Sequence, residues 1–412
     1  MKILYVHVGT PKTGTTAIQR FCADNREVLA RKGFAYPDFP FRYAGKGKNR
    51  NGLFLASRIT QSVEGYQTKE EEQARFEDGL QRVKELFQSY DNVILSDEGI
   101  WLAVRKRRAT LWEELKQAGE RDGYVVKLIV YLRDQGEYAI SAWNQRIKHP
   151  VTSADHATET WEHFAEDYPR YVNLAYWETL SRAAEVLGKE HIIVRRYSRS
   201  ALKGGMTQED FLDVLGLTLT EEYTISKTEL NERLSLNACE MKRIINGLPE
   251  LTLSENEYFR NVLLSISDSS SEEYPCVLWS CADAARFMEQ FEEGNRKVAD
   301  AWLDDGGPLF TKKKPETGET EIVWERDNPH MMSDLVRFTV ASNAALLRRV
   351  EELEKQNKAL ENQKKGWEKK ELENQRKEIQ KLQKDVAMLK EFRKKVRNPF
   401  RALFAIIKRT FS

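Results

Sequence analysis

Eight consecutive residues near the N-terminus, Gly9-Thr10-Pro11-Lys12-Thr13-Gly14-Thr15-Thr16, have the types and order needed to hold a phosphate. They follow a short β-rich run, Ile3 to Val8, and precede a helical pattern from Ala17 to Arg31. A strand–turn–helix unit leaves unpaired backbone N–H donors and the positive end of a helix dipole at the turn. Thr15 and Thr16 add hydroxyl donors, and Lys12 adds a positive charge. Gly9 and Gly14 have the spacing of the P-loop GxxxxGK[ST]. Thr15, however, stands where that motif has its lysine, and the lysine comes earlier, at position 12. Val93-Ile94-Leu95-Ser96-Asp97-Glu98 also has the form of a Walker B strand. A nucleotide-dependent kinase or NTPase with a modified P-loop therefore stays open.

A second constellation lies further on. The apolar run Val125 to Leu132 ends in Arg133, and Ser141 follows eight residues later, ahead of Trp143-Asn144-Gln145. The planar fork of an arginine suits a phosphate dianion, because it donates two parallel hydrogen bonds. Glu98 lies just past the strand pattern Asn92 to Ser96, at the carboxyl edge where ligands of α/β sheets collect, and is placed to act as a general base. Asp97 is its nearest rival. Glu98 also suits a helix cap or an ion pair with Arg105 or Lys106, and His7, inside the first strand pattern, suits a buried core position better than a catalytic one. The segment Pro37 to Asn51 is basic and aromatic; it is either a grip for an anionic or sugar-like molecule or an ordinary solvated loop.

Thr10-Pro11-Lys12-Thr13-Gly14-Thr15-Thr16 resembles the 5′-phosphosulfate loop, PK[ST]GTT, of the sulfotransferases that use 3′-phosphoadenosine-5′-phosphosulfate (PAPS). Arg133 and Ser141 are similar to the arginine and serine that hold the 3′-phosphate in that family. Val194-Arg195-Arg196-Tyr197, Asp210-Phe211-Leu212, Leu215-Gly216-Leu217 and Asn295-Arg296-Lys297-Val298 extend the resemblance over residues 1–310, most closely to a bacterial branch. It implies a P-loop-like fold around a parallel sheet of four or five strands, PAPS as donor, the bisphosphate PAP as product, and no metal. It also implies Pro11, Lys12, Thr13, Gly14, Thr15 and Thr16 at the 5′-phosphate, with Lys12 neutralising the leaving phosphate. Glu98 would be the base, since some members use a glutamate after this strand and others a histidine. Arg196 and Tyr197 are expected at the adenosine end, and Trp143, Asn144 and Gln145 match the family's Tyr/Trp-Asn-Gln run. The GxxGxxK loop of the animal cytosolic members has no counterpart in this chain, so the residues completing that side of the pocket are not indicated.

The elements that must position these residues are legible as a pattern. Near-continuous apolar runs at 3–8, Asn92 to Ser96, Val125 to Leu132 and His191 to Val194 suit strands buried on both faces of a parallel sheet. Helical patterns such as Ala17 to Arg31 and Phe76 to Phe87 alternate with them over residues 1 to about 230, which predicts an α/β fold with right-handed crossovers. Residues 230–340 read as helical, with the serine-rich stretch Ser265 to Ser271 expected as a loop and 311–345 as linker and helix. Leu346, Val350, Leu353, Leu360 and Trp367, then Leu372, Ile379, Leu382, Val386 and Leu389, form two heptad registers broken near Gly366, with Asn357 at a core position. They predict a coiled coil over 346–396, and a parallel dimer or larger oligomer through it.

The last stretch, 397–412, is a basic amphipathic tail opened by Asn398-Pro399, suited to an anionic membrane surface or to docking on protein.

Bulk properties narrow the classes. The chain has 412 residues, 41% hydrophobic and 31% charged, and a formal net charge of only +1, which gives no general bias toward nucleic acid. The four cysteines and six histidines show no metal-ligand spacing, which predicts reduced thiols and no zinc site. No secretory signal pattern and no apolar run of about 18 residues is present, so a cytosolic location is expected, with the tail allowing contact with the inner face of a membrane. A glycan or lipid-linked acceptor of surface polysaccharide synthesis fits that location.

Overall fold

The computed structural model describes residues 1–10, 13–41, 49–56, 68–149, 157–226, 233–311, 321–364 and 371–396, with backbone only for 361–364, 371–376 and 395–396. Pro11 and Lys12 of the glycine-threonine turn, residues 42–48 of the basic aromatic segment, the heptad break at Gly366 and the tail 397–412 lie outside the described residues. The chain divides into two compact units. One comprises 1–142, 162–230 and 281–316, and the other 143–161, 231–280 and 317–412.

The first unit is α/β. Its five strands are β1 (Lys2–Gly9), β2 (Phe34–Ala35), β3 (Asn92–Ser96), β4 (Tyr124–Leu132) and β5 (Ile192–Arg196). All pair in parallel, in the order β2-β3-β1-β4-β5. Four of these are the strands expected from the apolar runs. The fifth, β2, has two residues and is too short to leave a periodic signal. Val93, Ile94 and Leu95 of β3 and Leu128 to Leu132 of β4 are essentially buried, as strands covered on both faces require. On one face Ile18, Phe21 and Cys22 of helix Thr15–Asp24 pack with Phe211 and Leu212 against Tyr5, Ile94 and Ile129. The single helix expected over Ala17 to Arg31 is two, Thr15–Asp24 and Arg26–Arg31. Asn25 breaks it by turning its side-chain amide onto the carbonyl of Thr224 at 2.8 Å and accepting the Thr224 N–H at 2.7 Å.

This strand order decides where ligands can enter. After β1 the chain leaves toward β2; after β4 it leaves toward β5. The crossovers diverge between these two neighbours, and a crevice opens at their carboxyl ends. Gly9 is in register with Tyr131 there.

The second unit is helical. The run Ser265 to Ser271, expected as a loop, lies inside helix Leu253–Glu273. Thr252 and Glu255 close its first turn as a capping box. Serines normally compete with helix, but here Ser265, Ser267 and Ser269 donate to carbonyls three or four residues back, and Ser270 donates to buried Asp334 at 2.6 Å.

Of the heptad segment, Leu346, Val350 and Leu353 are buried in helix His330–Lys364, and Ile379 and Phe392 in helix Glu371–Val396. Glu354 and Lys390 pair at 3.4 Å within the one chain. A parallel arrangement would put the facing helix ends on the order of 40 Å apart, beyond the reach of the short connection. The helices therefore run antiparallel, and part of the heptad seam is covered inside the chain.

Lys242 of helix Leu236–Asn246 is fully buried, and among the described residues its ammonium donates to the amide oxygens of Asn246 and Asn256. Burial, helped by nearby Arg260, pushes its pKa down to about 7. The unfolded chain thus binds a proton at Lys242 that the native chain has lost between pH 7 and the usual lysine value near 10.4, so stability rises with pH across that window. Melting curves at neutral pH and near pH 9 should show higher stability at the upper pH for the native chain and a smaller gain for Lys242→Met. Equal gains in both proteins would refute the assignment.

Candidate functional site

The turn after β1 is tight because the backbone doubles over itself. Thr10 N–H donates to the Tyr131 carbonyl at 3.1 Å, which holds the end of β1 on β4. The Thr13 hydroxyl, fully buried, donates back to the Thr10 carbonyl at 2.6 Å. A Cβ on Gly9 would sit 2.3 Å from Thr15 Cγ2 and 2.4 Å from Thr13 Oγ1, so only glycine fits there. Gly14 has φ +71°, and a Cβ on it would meet Thr207 and the Tyr197 ring at 3.1–3.2 Å. Gly14 is also the N-terminal cap of helix Thr15–Asp24, with no side chain satisfying the first turn. The N–H groups of that turn are thus presented at the carboxyl edge of the sheet, which is the arrangement that binds phosphate. Thr15 is buried, while Thr16 is exposed on the same turn.

Across the crevice, Arg133 follows β4. Its Nε donates to Glu137 Oε2 at 2.9 Å, and its side chain keeps 26% exposure. Asp134 caps helix Gln135–Lys148 by accepting the Glu137 N–H at 3.0 Å. Glu137 and Ser141 are one turn apart and share a helix face, so Arg133 and Ser141 lie on either side of Glu137. The carbonyl of Arg133 is held by the Tyr176 hydroxyl at 2.7 Å.

Further along that helix the structure separates the remaining expectations. Trp143 and Asn144 are buried, and they donate to the Glu159 and Leu234 carbonyls at 2.9 and 3.0 Å. They serve packing in the second unit, while Gln145 stays half-buried.

Beyond β5, Tyr197 continues the ladder by donating its N–H to the Leu132 carbonyl at 2.7 Å, and its ring rests against Gly14. Arg196 points elsewhere. It forks onto Asp305 and also donates to the carbonyls of Gly307, Pro308 and Leu309. Arg195 is likewise committed, to buried Asp210, which Tyr131 also reaches at 2.7 Å.

At the end of β3 the three acid–base candidates part ways. His7 is fully buried, with Nδ1 2.8 Å from Ser96 Oγ and rings of Tyr131 and Phe211 packed edgewise on it. Burial drives its pKa down to about 3, so the ring is neutral near pH 7. Asp97 is also fully buried. Arg50 grips both its oxygens at 2.8 Å, and the Gly99 N–H donates to it at 2.7 Å. Burial raises the Asp97 pKa and Arg50 opposes the rise.

Glu98 remains partly open to solvent, at 23%. It occupies the N-cap position of the short helix Gly99–Ala103, but its side chain makes no cap hydrogen bond, and among the described residues it pairs with neither Arg105 nor Lys106. Instead Oε1 meets Arg50 at 3.1 Å, and Oε2 accepts from Gln19 at 3.1 Å. A carboxylate oxygen can accept two hydrogen bonds, and among the described residues each Glu98 oxygen has one partner.

Two members of this cluster were not singled out in the sequence. Gln19 falls on the buried stripe of its helix with Thr15, Ile18 and Cys22, and a polar residue on an apolar stripe is the signal that marks it. Arg50 sits among the basic residues of Pro37 to Asn51. Next to it, Asn51 accepts the Ser96 N–H at 2.8 Å, and Gly52 N–H donates to the Ser96 carbonyl at 3.2 Å. Those bonds fasten the segment to the end of β3.

Among the described residues no group of three His, Cys, Asp or Glu side chains is placed to hold a metal, and no helix is long and apolar enough to cross a membrane.

No protein-family model matches the chain. An uncharacterised protein of Archaeoglobus fulgidus is 29% identical over 220 residues, or 52% of this chain and 55% of that protein, so the chain spans about half the length of that relative. Among solved structures, a sulfotransferase from Alicyclobacillus acidocaldarius superposes on 61% of this chain and 97% of its own, with 16% identity and a TM-score of 0.30. The α/β fold with its five-stranded parallel sheet stands on the strand order itself.

Proposed function

We propose that this chain is a sulfotransferase that moves a sulfuryl group from PAPS to a hydroxyl of a glycan or similar acceptor. One observation carries the reading. The phosphate-binding turn after β1 and Arg133 after β4 flank the crevice at the carboxyl ends of adjacent strands, and the Glu98 carboxylate stands at the end of β3, on the other side of β1. Adjacent strands lie about 4.8 Å apart, so the turn and the start of the Arg133 segment are near enough to meet one small ligand. In this reading Thr13 to Thr16, with Pro11 and Lys12, hold the 5′-phosphate. Arg133 and Ser141 take the 3′-phosphate, with Arg133 exchanging Glu137 for it. Tyr197, against Gly14, is assigned to the adenosine. Arg196 fixes the segment 305–309 rather than the nucleotide.

The acceptor oxygen attacks sulfur in line as the bond from sulfur to the phosphate oxygen breaks. The phosphate leaves with the electron pair, Lys12 neutralises its charge, and Glu98 takes the acceptor's proton. Gln19 and Arg50 aim that carboxylate. His7 is buried and neutral, and Asp97 is consumed by Arg50, so neither suits the base.

The same Asp97 geometry weighs against the NTPase alternative. A Walker B aspartate must accept from metal-bound water, whereas here the carboxylate is buried and filled by an arginine fork and a backbone N–H. Attraction of residues 397–412 to an anionic membrane and self-association through the long helices belong to the same proposal. Vesicle flotation of a chain ending at Val396 tests the first and sedimentation of a chain cut before Leu346 the second; unchanged behaviour in either removes that part.

Calorimetric titration should show PAP binding without magnesium, weakened by Lys12→Ala and lost in Arg133→Ala; preference for ATP with magnesium would move the chain to the NTPase class. Glu98→Gln should bind PAP as the native chain does while turnover falls by about 10²–10⁴. Retained turnover would take the base role from Glu98. Gly14→Ala should lower stability by roughly 1–2 kcal/mol in denaturant unfolding, because φ +71° is costly for any L side chain; an unchanged midpoint would show that the turn is not held in this conformation.

A further inference from the structure

The first unit carries a cleft that the donor site does not use. It has a volume of about 330 Å³ and lies where helices Gln135–Lys148, Tyr176–Leu187 and Glu292–Trp302 begin. A second hollow of about 360 Å³ shares Arg105, Asn173, Ala175 and Glu178 with it and continues along the face of helix Tyr176–Leu187. Each is the size of a small-ligand site, and together they make one elongated groove. Tyr176 lines the first cleft and donates its hydroxyl to the Arg133 carbonyl at 2.7 Å, and Asn173, which lines both hollows, exchanges hydrogen bonds with Trp101 of the short helix that follows Glu98.

The lining decides what would fit. Tyr168, Trp177 and Phe291 supply aromatic surface, with the Lys297 ammonium 5.8 Å from the centre of the Trp177 ring. Gln135 and Asn295 clasp each other by two hydrogen bonds between their side-chain amides, at 2.6 and 3.1 Å. Each amide nitrogen has a second hydrogen and each oxygen a second lone pair, so the clasp can donate and accept further. Rings beside paired amides match a polyhydroxylated ring, whose C–H faces stack and whose hydroxyls both donate and accept. The charges argue against a polyanion. Arg105, Arg182 and Lys297 are matched by Glu113, Glu178, Glu185 and Glu293, and Arg105 is spent on the carbonyls of Pro169 and Val172. Lys297 pairs with Glu293 at 2.7 Å.

We propose that this groove is the acceptor cradle and that the acceptor is a neutral oligosaccharide chain, an inference that rests on the sulfotransferase reading for the word acceptor alone. A single sugar would fill one hollow; the continuity of the two fits several in a row.

The full-length chain on a printed array of neutral and anionic oligosaccharides tests it, beside calorimetry with PAP. Neutral chains should be retained, longer ones more strongly. Trp177→Ala and Asn295→Ala should each lower retention by about tenfold while PAP binding stays at its native value. Retention of anionic glycans only, retention indifferent to both substitutions, or no retained glycan would overturn the groove's assignment. Glycan retention without PAP binding would leave the groove standing and sink the sulfotransferase reading. PAP binding without glycan retention would do the reverse.

Discussion

β1 is the central strand of a parallel sheet, and its chain must leave between two neighbours and enter a helix within a handful of residues. That constraint organises the first unit. A parallel neighbour on each side leaves the end of β1 no room to spread, so the turn folds over Gly9, where a single methyl group would collide with two threonine side chains. The turn then enters its helix through a left-handed residue and delivers unpaired N–H groups to the sheet edge. Because β4 lies directly beside β1, Arg133 follows onto the same edge; because β3 lies on the other side, so do Asp97 and Glu98. Strand order alone brings Arg133 and the Asp97–Glu98 carboxylates to the edge beside the turn, and the segment carrying Arg50 is then fastened over the end of β3.

The carboxylate corner shows how burial sorts like residues into different jobs. Asp97 and Glu98 are neighbours in sequence, but consecutive residues point to different surroundings at a strand end. Asp97 faces inward and must be matched by Arg50 to stay buried. Glu98 faces the edge and shares Arg50 with solvent and Gln19. His7 is on the buried side of the same corner and is held neutral by its desolvation. One arginine thus stabilises an inert carboxylate and orients an accessible one.

Much of this was legible in the sequence where local patterns were long or unambiguous. The four apolar strands are read from their runs and the turn from its glycines and flanking patterns, whereas the pairing of Arg133 with Ser141 comes from the family resemblance alone. What escaped did so for identifiable reasons. β2 is two residues long, and its pairing depends on β3 rather than on its own pattern. Helix Leu253–Glu273 absorbs a serine run because the serines bond back to the helix and one reaches Asp334, contacts that composition does not encode. Trp143 and Asn144 follow Ser141 closely, yet the helix turns them into packing. Arg50 lies far from Glu98 in the chain, and only the fastening of Asn51 and Gly52 to the end of β3 brings it there.

The Arg50–Asp97 pair constrains how this chain can drift. Removing either partner alone strands a desolvated charge, and breaking such a pair costs about 3–5 kcal/mol, a large part of the stability of an ordinary domain. Replacing both by well-fitted apolar side chains can be nearly neutral. Single-step variation at positions 50 and 97 must therefore pass through weakly folded intermediates, whereas a joint change need not. Among descendants of this fold the two positions should travel together, either kept as a pair or lost as a pair, and Glu98 would lose a neighbour each time the pair is given up.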